Sequence, residues 1–217
     1  MTISFATIII KTIAMFDDTY KTIKATSEGI YKEKGSKFLA FAIPVTTEAE
    51  IKTHVEKIKK EYYDARHHCY AYILGHDKAT YRLNDDGEPS GTAGRPIHGQ
   101  LLSKDLTNTL VVVVRYFGGI KLGVSGLISA YKAATKDALD KAEVMEKTVN
   151  EIYRVEFEYP LMNDVMRLLK DEGLEQFNQR FEMNCSLDFS VRKSKSMRVT
   201  EAFEKIRGVT LTFLRIE

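Results

Sequence analysis

Short apolar stretches that recur along the first two thirds of the chain have the pattern of β-strands. They cover residues 20–25, 37–45, 69–74 and 109–117, and turns are predicted at residues 27–29 and 34–36. The last stretch contains four consecutive valines at positions 111–114. A continuous apolar run of this kind indicates a strand that is buried on both faces.

Three longer segments carry apolar residues at helical spacing, and they predict helices over residues 47–62, 93–102 and 122–146. In the first helix, Ile51, Val55 and Ile58 share one face, and Thr46 or Thr47 can cap the amino terminus. The third helix is expected to bury a face of small and aliphatic residues, namely Leu127, Ala130, Ala134, Ala138 and Leu139.

The pattern begins again after position 147. Strands are predicted at residues 149–159, 174–181, 184–192 and 209–216, with helices at 160–171 and 196–206. The order β-α-β-β-α-β is that of a ferredoxin-like domain. We therefore predict an α+β protein with one domain at 17–147 and a second, ferredoxin-like domain at 148–217.

The first sixteen residues are treated separately. Their apolar stretch is too short to span a membrane and has neither the basic start nor the cleavage site of a signal peptide. We expect a poorly ordered extension, and the alternative is an extra strand.

The charge balance bears on whether the protein binds nucleic acid, and the cysteines indicate its redox environment. The 217 residues include 32 basic and 30 acidic side chains, a net charge of +2, which is not the strongly basic balance of most nucleic-acid-binding domains but allows a local patch. Residues 148–217 carry 11 basic and 12 acidic side chains, so the positive excess lies in the first domain. Two distant cysteines, Cys69 and Cys185, are typical of a reduced cytoplasmic protein.

Two glycine-rich segments, residues 84–96 and 115–126, hold more than half of the chain's 13 glycines. The second leads from the valine strand into a predicted helix, whose amino-terminal N–H groups favour anions. Arg115 and Lys121 flank it, and Tyr116 and Phe117 add aromatic faces, a composition that suits a phosphate or an RNA backbone. The spacing matches neither a P-loop nor a dinucleotide fingerprint. The alternative is that Gly118, Gly119 and their neighbours only permit a tight turn.

The first glycine-rich segment carries Asp85, Asp86 and Glu88. Three carboxylates could hold Mg²⁺ if a phosphate supplied further oxygens, but an exposed loop with turns fixed by polar side chains is favoured, and no metal is predicted. His67 and Cys69 share a face of their strand, yet a buried structural cysteine is favoured over a nucleophile. No catalytic motif or cofactor site is predicted.

Three motifs together resemble a known family. Residues 66–72 (RHHCYAY), 85–94 (DDGEPSGTAG) and 115–123 (RYFGGIKLG) are similar to the signatures of the Impact/YigZ family. The second motif includes Asp85, Asp86, Glu88, Ser90, Gly91, Thr92 and Gly94. The resemblance spans about residues 20–140, and the remainder looks like the small carboxyl-terminal domain of bacterial members.

The resemblance implies a first domain with the fold of domain 2 of ribosomal protein small-subunit five. It implies a second domain like the fifth domain of elongation factor G. It also implies a role in control of translation, through a protein partner in eukaryotic members and with nucleic-acid binding suggested for bacterial ones. The chain departs from the family pattern at Ser125, in place of a glycine, and at Ser129, in place of an arginine, a charge for which Lys132 could substitute.

These observations favour a non-enzymatic, translation-associated protein that binds RNA or the ribosome, without a membrane contact. Phosphate would meet Arg95, Arg115 and Lys121, and a second contact would come from the basic run that contains Arg192, Lys193 and Lys195. Two alternatives stay open: an enzyme that acts on a nucleotide or another phosphorylated ligand, and a protein-docking module.

Overall fold

The computed structural model describes residues 18–217, so the extension predicted for residues 1–16 lies outside the described part. The protein is a mixed α/β structure. Contacts divide it into two compact units. The first comprises Tyr20–Lys147, and the second comprises Thr148–Glu217 together with Asp18 and Thr19.

From Thr19 to Thr148 the chain forms seven strands and three helices. Their order is β1 (Thr19–Ile23), β2 (Ser27–Glu33), β3 (Ser36–Pro44), α1 (Glu48–Glu61), β4 (His67–Leu74), β5 (Thr80–Asn84), α2 (Gly94–Ser103), β6 (Thr109–Tyr116), α3 (Gly123–Lys141) and β7 (Val144–Thr148). Thr47 caps α1 through a capping box with Glu50, as the sequence predicted.

A five-stranded antiparallel sheet with the order β2-β3-β6-β4-β5 forms the centre of the first unit. Strand β6 lies in the middle, and its valines are fully buried on both faces, as predicted. Val111 and Val113 pack with residues of α2 and α3 on one face. Val112 and Val114 pack with residues of α1 on the other. Helices on both faces therefore explain the continuous run of four valines in a strand of an antiparallel sheet.

The predicted turn at residues 27–29 is wrong, because this segment opens strand β2. Gly29 allows β2 to approach α3 closely: a Cβ atom at this position would lie 2.3 Å from the backbone nitrogen of Ala138. The turn predicted at residues 34–36 is confirmed in its first part, since Lys34 and Gly35 have positive φ and join β2 to β3.

The third predicted helix extends too far. Helix α3 ends at Lys141, and Val144–Thr148 forms β7, which pairs with β1. The residues of β7 favour a helix by composition, but pairing with a strand more than 100 positions away overrides local preference.

The second unit follows the predicted β-α-β-β-α-β order. It comprises β8 (Asn150–Glu158), a short 3₁₀ turn (Tyr159–Leu161), α4 (Met162–Asp171), β9 (Glu175–Arg180), β10 (Asn184–Arg192), α5 (Lys193–Glu204) and β11 (Val209–Ile216). The strands form an antiparallel sheet with the order β11-β8-β10-β9. Its core includes Val155, Leu169, Leu187, Phe189 and Phe203.

Candidate functional site

The bend between β6 and α3 is packed against the β2–β3 turn at its first glycine, and its later glycines have open space beside them. Gly118 is held against the β2–β3 turn: its N–H donates to Ser36 Oγ at 3.1 Å, and a Cβ atom there would lie 1.9 Å from the carbonyl carbon of Gly35. Gly119 and Gly123 have positive φ and no atom within 4 Å of an added Cβ. The bend therefore anchors at its first glycine and exposes its later ones.

A cleft of about 440 Å³ opens beside this bend, and we call it the bend cleft. Strand β4 and strand β6 meet there, since His67 lies opposite Arg115 in their antiparallel ladder. The cleft has a basic and polar part formed by Arg66, His67, Glu88, Arg115 and Lys121, and a second part formed by Pro89, Phe117, Leu122, Gly123, Val124 and Leu127.

Arg115 lies deep in the bend cleft. Its side chain is 7% exposed and its Nη1 donates to Glu88 Oε1 at 2.6 Å. The Arg115 guanidinium carbon is also 5.5 Å from the ring centre of Phe38 and 5.7 Å from that of Phe117. The sequence predicts that Arg115 contacts phosphate, and its burial means that only a ligand that enters the cleft can do so.

Glu88, which pairs with Arg115, is itself part of a buried hydrogen-bond network with Tyr131 and Cys69. The Glu88 side chain is 4% exposed, and the same Oε1 atom accepts a hydrogen bond from the Tyr131 hydroxyl at 2.8 Å. The Cys69 thiol lies 3.3 Å from that hydroxyl. An ion pair that is also hydrogen-bonded to a third group holds a guanidinium in one orientation.

One donor of Arg115 remains unused. Within residues 18–217, Arg115 Nε is the only buried side-chain nitrogen or oxygen that has no hydrogen-bond partner. Buried polar groups without a partner are rare in folded proteins because each costs about 1–3 kcal/mol. Arg115 lines the bend cleft, so a ligand that enters the cleft would meet this side chain.

The amino terminus of α3 adds further donors. The helix has 19 residues, and Leu122 at its N-cap position makes no side-chain capping hydrogen bond. Free N–H groups in a first helical turn carry about half a positive charge and bind anions. Gly123 and Val124, the first two residues of α3, line the cleft that also contains Arg115 and Lys121.

In the first glycine-rich segment, the side chains of Asp85 and Asp86 accept hydrogen bonds from backbone N–H groups and so fix the loop. Asp85 accepts hydrogen bonds from the N–H groups of Gly91, Ala93 and Gly94 at 2.8–3.0 Å. Burial alone would raise the pKa of Asp85, but these three amides outweigh it and lower the pKa. Asp86 accepts from the N–H of His68 at 2.7 Å and pairs with Lys59. These contacts support the reading in which polar side chains fix the turns.

Other residues of this segment also have local roles. Thr92 is buried and donates to the Pro89 carbonyl at 2.6 Å, and Ser90 is exposed. A Cβ atom at Gly94 would lie 2.9 Å from the Asn84 nitrogen. Among the residues that the structure describes, no group of three or more His, Cys, Asp or Glu side chains could hold a metal ion.

Cys69 is unsuited to act as a nucleophile. It is fully buried, and burial raises the pKa of its thiol far above the ordinary value. Burial likewise raises the pKa of Tyr131. His67, on the same face of β4, lines the bend cleft and has its Nδ1 2.8 Å from the Asp86 carbonyl oxygen. In a neutral ring this contact requires a proton on Nδ1, which leaves Nε2 as an acceptor.

The other predicted contacts in the first unit lie away from the bend cleft. Tyr116 follows Arg115 in β6, packs on the opposite face and donates to Asp64 at 2.8 Å. Arg95 and Lys132 are exposed on α2 and α3, and neither lines the cleft. Phe117, by contrast, is 45% exposed at the cleft and can contact a ligand.

The predicted basic run belongs to the second unit. Arg192 ends β10 and makes two hydrogen bonds to Asp18, whose pKa Arg192 lowers. Lys193 and Lys195 lie in the first turn of α5, and Arg198 pairs with Glu172. At least two cations of the run are therefore compensated by carboxylates.

Sequence reasoning did not assign Arg66, His67 or Val124 to the site. The first two sit 48 or more positions before Arg115, and only the β4–β6 register brings them to the same cleft. The sequence did contain one indication. The valine strand is predicted to be buried on both faces, so it needs a neighbouring strand on each side, and the strand that begins in the RHHC motif is one of these neighbours.

Comparison with known proteins places the chain in a family. The chain is 37% identical over 183 residues to the protein described as IMPACT family member YvyE from Bacillus subtilis, covering 84% of each chain. The chain belongs to the IMPACT family. It is also 37% identical to IMPACT family member YigZ of Escherichia coli over 186 residues, which cover 85% of this chain and 91% of that one.

The part of the chain that matches the family model contains every residue of the bend cleft. Residues 34–139 match the Impact N-terminal domain, and every residue that lines the cleft lies within that range. The IMPACT homolog of Saccharomyces cerevisiae is 33% identical over 95 residues, which cover 42% of this chain and 36% of the yeast protein. A crystal structure described as that of an hypothetical protein matches 92% of this chain with a TM-score of 0.69 and 30% identity.

Among the helices in residues 18–217, none combines the length and apolar character that a bilayer crossing requires.

Proposed function

We propose that this IMPACT family member is a non-enzymatic, translation-associated protein of the cytoplasm that binds RNA, on its own or on the ribosome. RNA phosphate would enter the bend cleft. The observation that carries the proposal is Arg115, a nine-tenths buried cation that lines the bend cleft and whose Nε has no hydrogen-bond partner among the described residues.

The surroundings of Arg115 support this ligand. Arg66 and Lys121 are exposed cations at the same cleft, and the uncapped start of α3 adds N–H donors. Phosphate oxygens prefer such donors. Phe117 presents an exposed ring beside them, and base–aromatic stacking is a common way to hold single-stranded RNA without sequence preference.

The domain architecture is compatible with the proposal. We assign the first unit to the fold of domain 2 of ribosomal protein small-subunit five, and the second to a ferredoxin-like domain resembling the fifth domain of elongation factor G. The β-α-β-β-α-β order and the sheet order β11-β8-β10-β9 support the second assignment. Lys193 and Lys195 at the start of α5 would supply a second contact. Fold alone does not determine function, so the cleft remains the basis of the proposal.

The test is a salt titration of RNA binding. Fluorescence anisotropy with a labelled single-stranded RNA should give a log Kd that rises linearly with log salt. The double variant Arg66→Ala/Lys121→Ala should bind at least ~10-fold more weakly and lower the salt slope by about 1.4, because two phosphate contacts to a single strand are lost. Lys60→Ala, an exposed lysine on α1, is the matched control and should bind like the wild type.

Salt-independent binding, or binding that the double variant leaves unchanged, would contradict the proposal. The circular dichroism of each variant should match that of the wild type, so that a loss of binding is not a loss of folding.

A second candidate is an enzyme that acts on a small phosphorylated ligand. It is favoured by the volume of about 440 Å³, which lies in the ~300–1,000 Å³ range of small-molecule sites. His67 would be its general base through Nε2. Release of phosphate from a panel of nucleotides, abolished by His67→Gln, would favour this candidate over the first.

A further inference from the structure

We infer that the bend cleft recognises a terminal phosphate group, a phosphomonoester at the end of an RNA strand, in preference to a phosphodiester within the strand. The inference rests on the proposed function for the identity of the polymer. The recognised chemistry is the phosphomonoester, which a free mononucleotide shares.

The depth of Arg115 is the first argument. Its side chain is 7% exposed and lines the cleft, so a ligand must insert a group into the cleft to reach the guanidinium. A phosphodiester carries a nucleoside on each side, and both would have to fit the cleft of about 440 Å³ or remain above it. A terminal phosphate is attached on one side only and projects three unsubstituted oxygens, so it can reach the bottom of the cleft.

The charge at the bend cleft is the second argument. Glu88 compensates Arg115, which leaves Arg66, Lys121 and the amino terminus of α3 as the uncompensated positive groups. Their sum is about +2.5 when the helix contributes half a charge. A phosphomonoester carries about −1.5 to −2 at pH 7, which matches this excess better than the single charge of a diester.

The donors also suit a group with several oxygens. Glu88 occupies Arg115 Nη1, and the buried Arg115 Nε has no hydrogen-bond partner among the described residues. Gly123 has no side chain to obstruct its N–H, and no atom lies within 4 Å of the position where a Cβ would stand. One phosphate oxygen can accept from the Arg115 guanidinium while another accepts from the α3 amides.

Two exposed apolar residues that line the cleft can contact the nucleoside to which the phosphate is attached. Phe117 and Val124 are 45% and 59% exposed beside the donors. An exposed ring and an aliphatic side chain can contact the base and the sugar of the terminal residue, since every base presents a π-face.

The test compares three RNAs of one sequence that carry a 5′-phosphate, a 3′-phosphate or hydroxyls at both ends. Isothermal titration calorimetry should show at least one phosphorylated end binding about tenfold more tightly than the hydroxyl form, the usual effect of one charge-assisted contact. A nucleoside monophosphate serves as a fourth ligand.

Val124→Asp is the decisive variant. Acidic residues are well tolerated in a first helical turn, so α3 should form, but the carboxylate would repel a phosphate in the cleft. Val124→Asn is the matched neutral control. Both variants lose the aliphatic contact to the nucleoside, so both should bind every RNA somewhat more weakly. The ratio between phosphorylated and hydroxyl ends should fall to one in the aspartate variant and persist in the asparagine variant.

Each outcome decides one claim. Equal binding of all three RNAs by the wild type overturns the end preference and leaves RNA binding intact. If no RNA binds, the proposed function fails. In that case a phosphomonoester site would still be supported if the wild type binds the nucleoside monophosphate and the Val124→Asp variant does not. If neither RNA nor monophosphate binds to the folded protein, both claims are wrong.

Discussion

The two glycine-rich segments of the first unit differ in how their polar groups are satisfied. In residues 84–96, Asp85 binds three backbone amides and Asp86 binds a fourth. In residues 115–126, Gly118 is packed against Gly35, but the start of α3 has no side-chain cap and Arg115 keeps an unused donor. Glycine content alone does not separate the two kinds of loop. Internal satisfaction of the donors indicates a structural loop, and unsatisfied donors at a cleft indicate a binding site.

The largest expected effect is at the anchor of the bend. Gly118→Ala would place a Cβ 1.9 Å from the Gly35 carbonyl carbon, and backbone on both sides prevents relief. We expect a loss of more than ~4 kcal/mol in the unfolding free energy of the first unit. Gly119→Ala, the matched control, meets no atom and should cost only about 1 kcal/mol for its positive φ. Urea unfolding of both variants measures the difference, and similar losses would contradict the division of the bend into an anchored and an open half.

The next effect concerns the ion pair that joins the two segments. Glu88→Gln leaves the buried Arg115 without a countercharge, which should cost about 3 kcal/mol. Added phosphate should then raise the melting temperature of this variant more than that of the wild type, because the anion replaces the lost carboxylate. An equal response of the two proteins to phosphate would show that the anion does not reach Arg115.

A smaller effect should appear as pH dependence at the first segment. Because the folded-state pKa of Asp85 is lowered, its contribution to stability is complete above the ordinary value of 3.8 and is lost as pH falls through the lower folded-state value. Asp85→Asn should therefore cost about 2 kcal/mol at pH 7 and clearly less at pH 3. Urea unfolding at the two pH values measures both differences, and a cost that stays constant would argue against a charged Asp85 in the loop.

Much of the fold follows from local patterns. The buried strand β6 was predictable from its continuous apolar run. The capped helix α1 and all six elements of the second unit were predictable from their apolar spacing and the turn residues between them. Strands β2, β5 and β7 were not. The glycine of β2 serves close packing on α3 rather than a turn, and most residues of β5 and β7 are exposed, so no alternation marks them.

The candidate site was predictable only in part. Arg115, Phe117 and Lys121 are adjacent in sequence to the glycines that form the bend, so the motif itself pointed to them. The burial of Arg115, its pairing with Glu88 and the approach of Arg66 depend on the register of β4 and β6 and on the path of the first loop. These are long-range properties that no local pattern encodes.

The central claim is that the bend cleft, and not the first glycine-rich loop, binds an anion. A titration of the ¹⁵N-labelled protein with inorganic phosphate, followed by two-dimensional NMR, tests it at single amides. The account predicts saturable shifts at Gly123 and Val124 and at Arg115 Nε, with Gly91 and Gly94 unchanged because Asp85 already holds them. Shifts in the first loop with none at the start of α3, or no saturable shift at either place, would contradict it.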